Sequence, residues 1–166
     1  TVEITDCEND AAGDLEIPAE IDGKTVTSMG YYSFSYCANL TSVIIPNGVA
    51  NIGDNAFGNC EKLENITIPS SVTNIGDRSF AGCENLTSVI IPNSVENIGY
   101  SAFDGCTSLA EITIPSSVTS IGGNAFLDTP WLAARQEENP LVIVNGILLD
   151  GTTCTDEEIV IPNDVT

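Results

Sequence analysis

Apolar residues return along this chain with a period of 23. Leu40, Leu63, Leu86, Leu109 and Leu132 keep that spacing, as do Phe34, Phe57, Phe80, Phe103 and Phe126. Ile-Pro pairs recur at Ile45-Pro46, Ile68-Pro69, Ile91-Pro92 and Ile114-Pro115, and a glycine column runs through Gly30, Gly53, Gly76, Gly99 and Gly122. A period of this length marks a stack of supersecondary units, none of which buries its apolar residues alone. Within one unit, Leu63-x-x-Ile66-x-Ile68 alternates as a strand does, and Pro69 ends that strand because it has no N–H for a ladder bond. Val72 and Ile75 then predict a short second strand. Gly76 reads as a turn residue that a side chain would resist. Asp77–Cys83 is too short for an independent helix, so it predicts one short helical turn carrying Phe80 inward.

The ends depart from this rhythm. Ile17-Pro18 precedes Ile45-Pro46 by 28 residues, so the first unit holds five extra residues, with a turn expected at Asp22-Gly23-Lys24. Residues 2–6 suit a capping strand over the open end of the stack. Beyond Phe126, Pro130 sits at the first position of a helix expected over 131–138, and Pro140 stops it. Asn145-Gly146 between two apolar runs predicts a hairpin over 141–149. Ile159–Val165 restarts the repeat, with further repeats or another module expected to follow. The whole chain, 1–166, reads as one domain. It comprises an N-terminal cap and irregular repeat (1–25), regular repeats (26–126), a helix-and-hairpin variant unit (127–158) and the start of a truncated repeat (159–166).

The unit Cys-x-x-Leu-x-x-Ile/Val-x-Ile-Pro-x-x-Val-x-x-Ile-Gly-x-x-Ala-Phe-x-x-Cys resembles the BspA-like class of bacterial leucine-rich repeat, tightly over residues 26–132. Ser70-Ser71 stands where receptor-type leucine-rich repeats place Asn or Cys, which also favours the bacterial class. The resemblance implies an α/β solenoid: a right-handed leucine-rich-repeat superhelix with one parallel β-strand per repeat, a short second strand, a short helical turn and one irregular hairpin-containing unit near the C-terminus. It further implies a binding module of a bacterial cell-surface or secreted protein, with adhesion to a protein or glycan as its role. A structural spacer within a larger extracellular protein is the alternative, because fold alone does not fix function.

Charge narrows the partners. Twenty-four acidic against four basic residues give a formal charge of −20, with a 42% hydrophobic fraction that argues for a folded body. Such a surface repels phosphates and anionic headgroups, so neither nucleic acid nor membrane is an expected partner. A cationic partner or loosely held divalent cations would fit it better. Eight of the acids lie in residues 1–22 and seven in 137–164.

The chain has no histidine, no phosphate loop, no dinucleotide fingerprint and no EF-hand loop, which points away from catalysis and from a cofactor. Cys37, Cys60, Cys83 and Cys106 follow the repeat and should form a buried ladder about 5 Å apart. Parallel side-chain directions disfavour disulfides between them, zinc-type Cys-x-x-Cys pairs are absent, and Cys7 and Cys154 lie off the ladder. Asn39, Asn65 and Asn85 head glycosylation sequons that repeat composition itself accounts for.

Alternation leaves one set of strand residues facing outward: Ser42, Ile44, Asn65, Thr67, Ser88, Ile90, Glu111 and Thr113. This row is small, hydroxyl-rich and nearly uncharged. It is the candidate binding face if the sheet is concave, though β-favouring residues on an exposed sheet would look the same. Tyr31, Tyr32, Tyr36 and Tyr100 form a second candidate patch, with Tyr31, Tyr32 and Tyr100 at the variable sites after the repeat glycine, near one edge. The domain is expected to be monomeric.

Overall fold

The computed structural model describes residues 1–7, 10–150 and 165, and within them the chain winds as a parallel solenoid of about five turns. The restart at 159–165 and Cys154 lie outside that set, apart from Val165. Two sheets run along the stack. The first, interrupted between β7 and β9, contains β2 (Ala12–Glu16), β5 (Asn39–Ile44), β7 (Asn65–Thr67), β9 (Ser88–Ile90) and β11 (Glu111–Thr113). The second contains β1 (Val2–Ile4), β4 (Lys24–Met29), β6 (Asn51–Ile52), β8 (Asn74–Ile75), β10 (Asn97–Ile98) and β12 (Ser120–Ile121), all parallel. β3 (Glu20–Ile21) joins β4 antiparallel through Asp22 and Gly23, both at positive φ, which is how the five extra residues are absorbed.

The repeat columns form the core. Phe57, Phe80, Cys60, Cys83, Leu63, Leu86, Val72 and Ile75 are fully buried. Phe34, Phe57, Phe80, Phe103 and Phe126 stack nearly parallel, with centroids 5.0, 5.5, 5.2 and 5.7 Å apart in order along the chain. Trp131 closes the pile 4.8 Å from Phe126 and tilted by 52°. It rides on α1 (Pro130–Glu138), whose Leu132 N–H donates to the capping Thr129 Oγ1 at 3.2 Å. The hairpin β13 (Val142–Val144) and β14 (Ile147–Asp150) follows, turned by Asn145 and Gly146 at positive φ. The Asn145 amide ties it to the last regular turn by donating to Pro115 O and Val118 O.

Three sequence expectations change. The segment 77–83 is a run of tight turns, not a helical turn. Alternate N–H groups close local bonds, as Ala81 N does to Arg78 O, while the others reach the next turn, as Phe80 N does to Ala102 O at 2.8 Å. A helix would spend all its donors internally; here half of them join one repeat to the next. Two residues per repeat adopt left-handed backbone to permit this, for example Arg78 and Gly82.

Secondly, Gly76 is not needed for a special φ. A Cβ there would lie 2.8 Å from Asp54 N and 2.8 Å from Gly53 C, so the column is glycine because successive backbones approach closely. Thirdly, the N-terminal cap is double. β1 covers the second sheet through Val26 and Met29, while β2 covers the first through Val43 and Ile44.

Candidate binding face and its surroundings

The first sheet brings the eight outward residues together. Ser42 pairs with Asn65 and Ile44 with Thr67, and Ser88 pairs with Glu111 and Ile90 with Thr113. Alternate residues Val43, Val89 and Ile112 are buried beneath them. All eight are exposed except the half-buried Ser42, and Ile90 keeps 75% of its surface in solvent and Ile44 45%.

The face is less uniform than the sequence suggests. β2 adds Asp14 beside Ser42 and Glu16 beside Ile44, both exposed, so the N-terminal end of the row is acidic. Asp14 is held by the Thr41 hydroxyl, which donates to its Oδ1 at 3.0 Å. With Glu111 at the other end, carboxylates flank an uncharged centre.

That centre contains a break. The ladder runs β2-β5-β7 and separately β9-β11, with no pairing between β7 and β9. Ile66, whose counterparts Val43 and Val89 are buried, is only half-buried at this break. A shallow depression of about 360 Å³ opens there, lined by Asn65, Ile66, Thr67, Ile68, Ser88, Ile90 and Pro92. A second, of about 650 Å³, includes Ile44, Pro46, Thr67 and Pro69. The two share Thr67 and form a trough between the outward row and the proline column, in which Ile44, Ile90 and the prolines are interspersed with Glu16, Asn47, Asn65 and Ser88.

The cysteine column has a different character. Cys60, Cys83 and Cys106 each donate from Sγ to the carbonyl of the phenylalanine 26 residues earlier, at 3.2, 3.2 and 3.1 Å. Those thiols therefore satisfy carbonyls inside the stack. Burial pushes the Cys60 thiol up to about 12 and raises Cys83 well above its ordinary value. Cys37 is also pushed to about 12, by desolvation and then by Cys7, which lies against it. Cys7 thus extends the ladder that the sequence left it outside. No group of three or more His, Cys, Asp or Glu side chains among the described residues is placed to hold a metal ion. None of the described helices is long and apolar enough to cross a membrane.

The tyrosines lie on the turn layer. Tyr31 and Tyr32 meet edge to face with centroids 4.2 Å apart, and the hydrogen bond the Tyr31 hydroxyl donates to Tyr32 raises the Tyr31 phenol above its ordinary value. The Arg78 guanidinium lies over Tyr100 at 5.2 Å. Sequence reasoning found these side chains but not the backbone that carries Tyr32 and Tyr36, which stand at φ 59 and 62.

Comparison with known proteins agrees with this architecture. The family model for the BspA type leucine rich repeat region matches residues 19–135 in six copies. Among solved structures, a leucine rich repeat protein of T. pallidum superposes with a TM-score of 0.73 and 33% identity, over 76% of this chain and 58% of its own. A leucine-rich repeat protein from Bacteroides ovatus gives 0.65 and 42% identity, over 73% of this chain and 32% of its own. A leucine rich cell surface protein from Faecalibacterium prausnitzii gives 0.65 and 38%, over 71% and 30%. The chain therefore spans between about a third and three fifths of the length of these relatives. No curated protein matches it.

Proposed function

The chain belongs to the BspA-type leucine-rich-repeat family, and from that premise we propose that its first sheet is the docking face for a partner protein at a bacterial cell surface. The observation that carries this reading is the trough. Exposed Ile44 and Ile90, with Thr67 between them, create apolar surface that the fold has no need to leave uncovered, and the ladder lapses beneath it.

Several features favour an extended polypeptide. The trough crosses successive strands, offers threonine and serine hydroxyls along its length, and is bordered by Asp14, Glu16 and Glu111. Apolar contact in the middle with carboxylates at the margin suits a segment whose basic residues flank an apolar centre. Adhesion is the role that follows if the partner belongs to a host or a neighbouring cell. The surface location rests on a relative described as a cell surface protein.

The rival reading is a spacer. The unbroken aromatic pile from Phe34 to Trp131 is stiff, and the relatives are longer chains in which such a rod would hold other parts apart. Pull-down from solubilised surface proteins, with the Thr67→Lys/Ile90→Lys variant beside the parent chain, separates the two. Docking on the trough predicts bands retained by the parent and lost from the variant. No retention by the parent supports the spacer, and equal retention by both removes the trough from the account.

A further inference from the structure

We infer that the tyrosine-bearing ridge of the turn layer is a second binding site, for a neutral β-linked polysaccharide. In each turn two positions are left-handed, and at the second of them the regular units place Asn59, Gly82, Gly105 and Asp128, residues that tolerate such angles. The first complete turn instead has Tyr36 there, and Tyr32 at the other left-handed site, with φ of 62 and 59. An aromatic residue is disfavoured in this conformation, and burial does not compensate: Tyr36 is 62% exposed and Tyr32 43%. The inter-turn hydrogen bonds of Tyr32 N and Tyr36 N account for the angles, as in every other turn, so what distinguishes this turn is the exposed aromatic side chains placed there.

The surroundings indicate what they contact. Tyr31, Asp54, Asp77 and Tyr100 occupy one register position in four successive turns, so the backbone positions of the two tyrosines are about 14 Å apart, three strand spacings. Between them the carboxylates are anchored: Asp54 Oδ1 accepts from Asp77 N at 2.9 Å and Asp77 Oδ1 accepts from Tyr100 N at 2.8 Å. Tyr100 is fixed by Arg78 over its ring and by the Asn124 amide, which donates to its hydroxyl at 3.2 Å. Tyr31 is fixed against Tyr32. Rings and acceptors held in place before binding lose little freedom on it.

A pyranose offers its C–H face to an aromatic ring and its equatorial hydroxyls to carboxylates and amides beside that ring. This ridge provides both: the exposed Tyr31 ring with Tyr32 beside it, and the Asp54 and Asp77 carboxylates. A β-1,4-linked chain, joined through equatorial bonds, is extended as a ridge crossing several turns requires, whereas an α-1,4-linked glucan coils away. Asp54 and Asp77, on a body of charge −20, outnumber the one neighbouring cation, Arg78, and disfavour uronic, sulfated and sialylated chains.

The test is isothermal titration of the whole chain with cellohexaose, chitohexaose and β-mannohexaose. Polygalacturonate and polylysine serve as charged comparators. At least one neutral hexasaccharide should bind, and Tyr31→Ala and Tyr32→Asn should each weaken it roughly tenfold or more. Tyr32→Asn should unfold at the same or higher urea concentration, because Asn accepts the left-handed backbone, so lost binding cannot be blamed on lost fold. Thr67→Lys/Ile90→Lys should bind the sugar unchanged, which separates this site from the trough. Absence of binding to all three hexasaccharides overturns the inference. So does sugar binding that survives both tyrosine variants, or that the trough variant removes. Polylysine bound through the tyrosines, with no sugar bound, would make the ridge a site for a cationic partner instead.

Discussion

Removing one ring from the middle of the aromatic pile is the sharpest probe of how the solenoid holds together. Phe80 has no exposed surface and lies between Phe57 at 5.5 Å and Phe103 at 5.2 Å, tilted by only 2° and 12°. Phe80→Ala leaves a void that its neighbours cannot fill, because their own rings are pinned by the turns above and below. Truncating a buried phenylalanine costs about 3–5 kcal/mol, and in a domain of this size that lowers the midpoint of thermal unfolding on the order of 10 °C. The geometry adds a comparison. Phe34, at the end of the pile, has one stacking partner at 5.0 Å. Phe34→Ala should therefore cost less by about one ring pair, roughly 0.5–1.5 kcal/mol. Urea unfolding followed by the fluorescence of Trp131, the single tryptophan, gives both values on one chain. A loss below about 1 kcal/mol for Phe80→Ala, or equal losses at 34 and 80, would refute the pile as the source of stability.

Two further perturbations test the contacts between turns. Gly76→Ala forces a Cβ to 2.8 Å from the Asp54 N atom and should cost about 1–3 kcal/mol, whereas Gly123→Ala, whose nearest such contact is 3.8 Å, should change stability by less than about 0.5 kcal/mol in the same urea titration. Equal effects would contradict the close approach of successive backbones. Iodoacetamide at mildly alkaline pH should leave Cys60 and Cys83 unmodified in the folded protein, because burial holds both thiols protonated, and should label them once denaturant is added. Peptide mass spectrometry reads the two sites separately, and labelling of either in the folded chain at the denatured rate would rule out the buried ladder.

The core was legible because every turn asks the same side chain of the same site, so Phe, Leu, Cys and Ile-Pro columns declare themselves at a fixed spacing. The outward row was legible for the same reason, through simple alternation from Ser42 to Thr113. The turn layer was misread because a short segment with Phe80 and Cys83 three apart fits a helical turn as well as two tight ones. Part of the distinguishing signal was present: Asn59, Gly82, Gly105 and Asp128 recur at the second left-handed site, whereas the first holds Tyr32, Asn55, Arg78, Ser101 and Asn124. β2 was also within reach, since Leu15 and Ile17 before Pro18 repeat the pattern of Val43 and Ile45 before Pro46. The break between β7 and β9 had no such signal. Asn65–Ile68 reads like its neighbours in the other turns.

Site-specific photocrosslinking tests the central claim, that the first sheet's exposed face holds a partner, most directly. The full chain carrying a benzophenone side chain at position 90 is compared with the same substitution at position 73, where exposed Thr73 leads into the second sheet. The account predicts a discrete adduct with one surface protein from position 90, none from position 73, and loss of the adduct when Thr67→Lys is added. Equal adducts from both positions, or an adduct only from position 73, would contradict it.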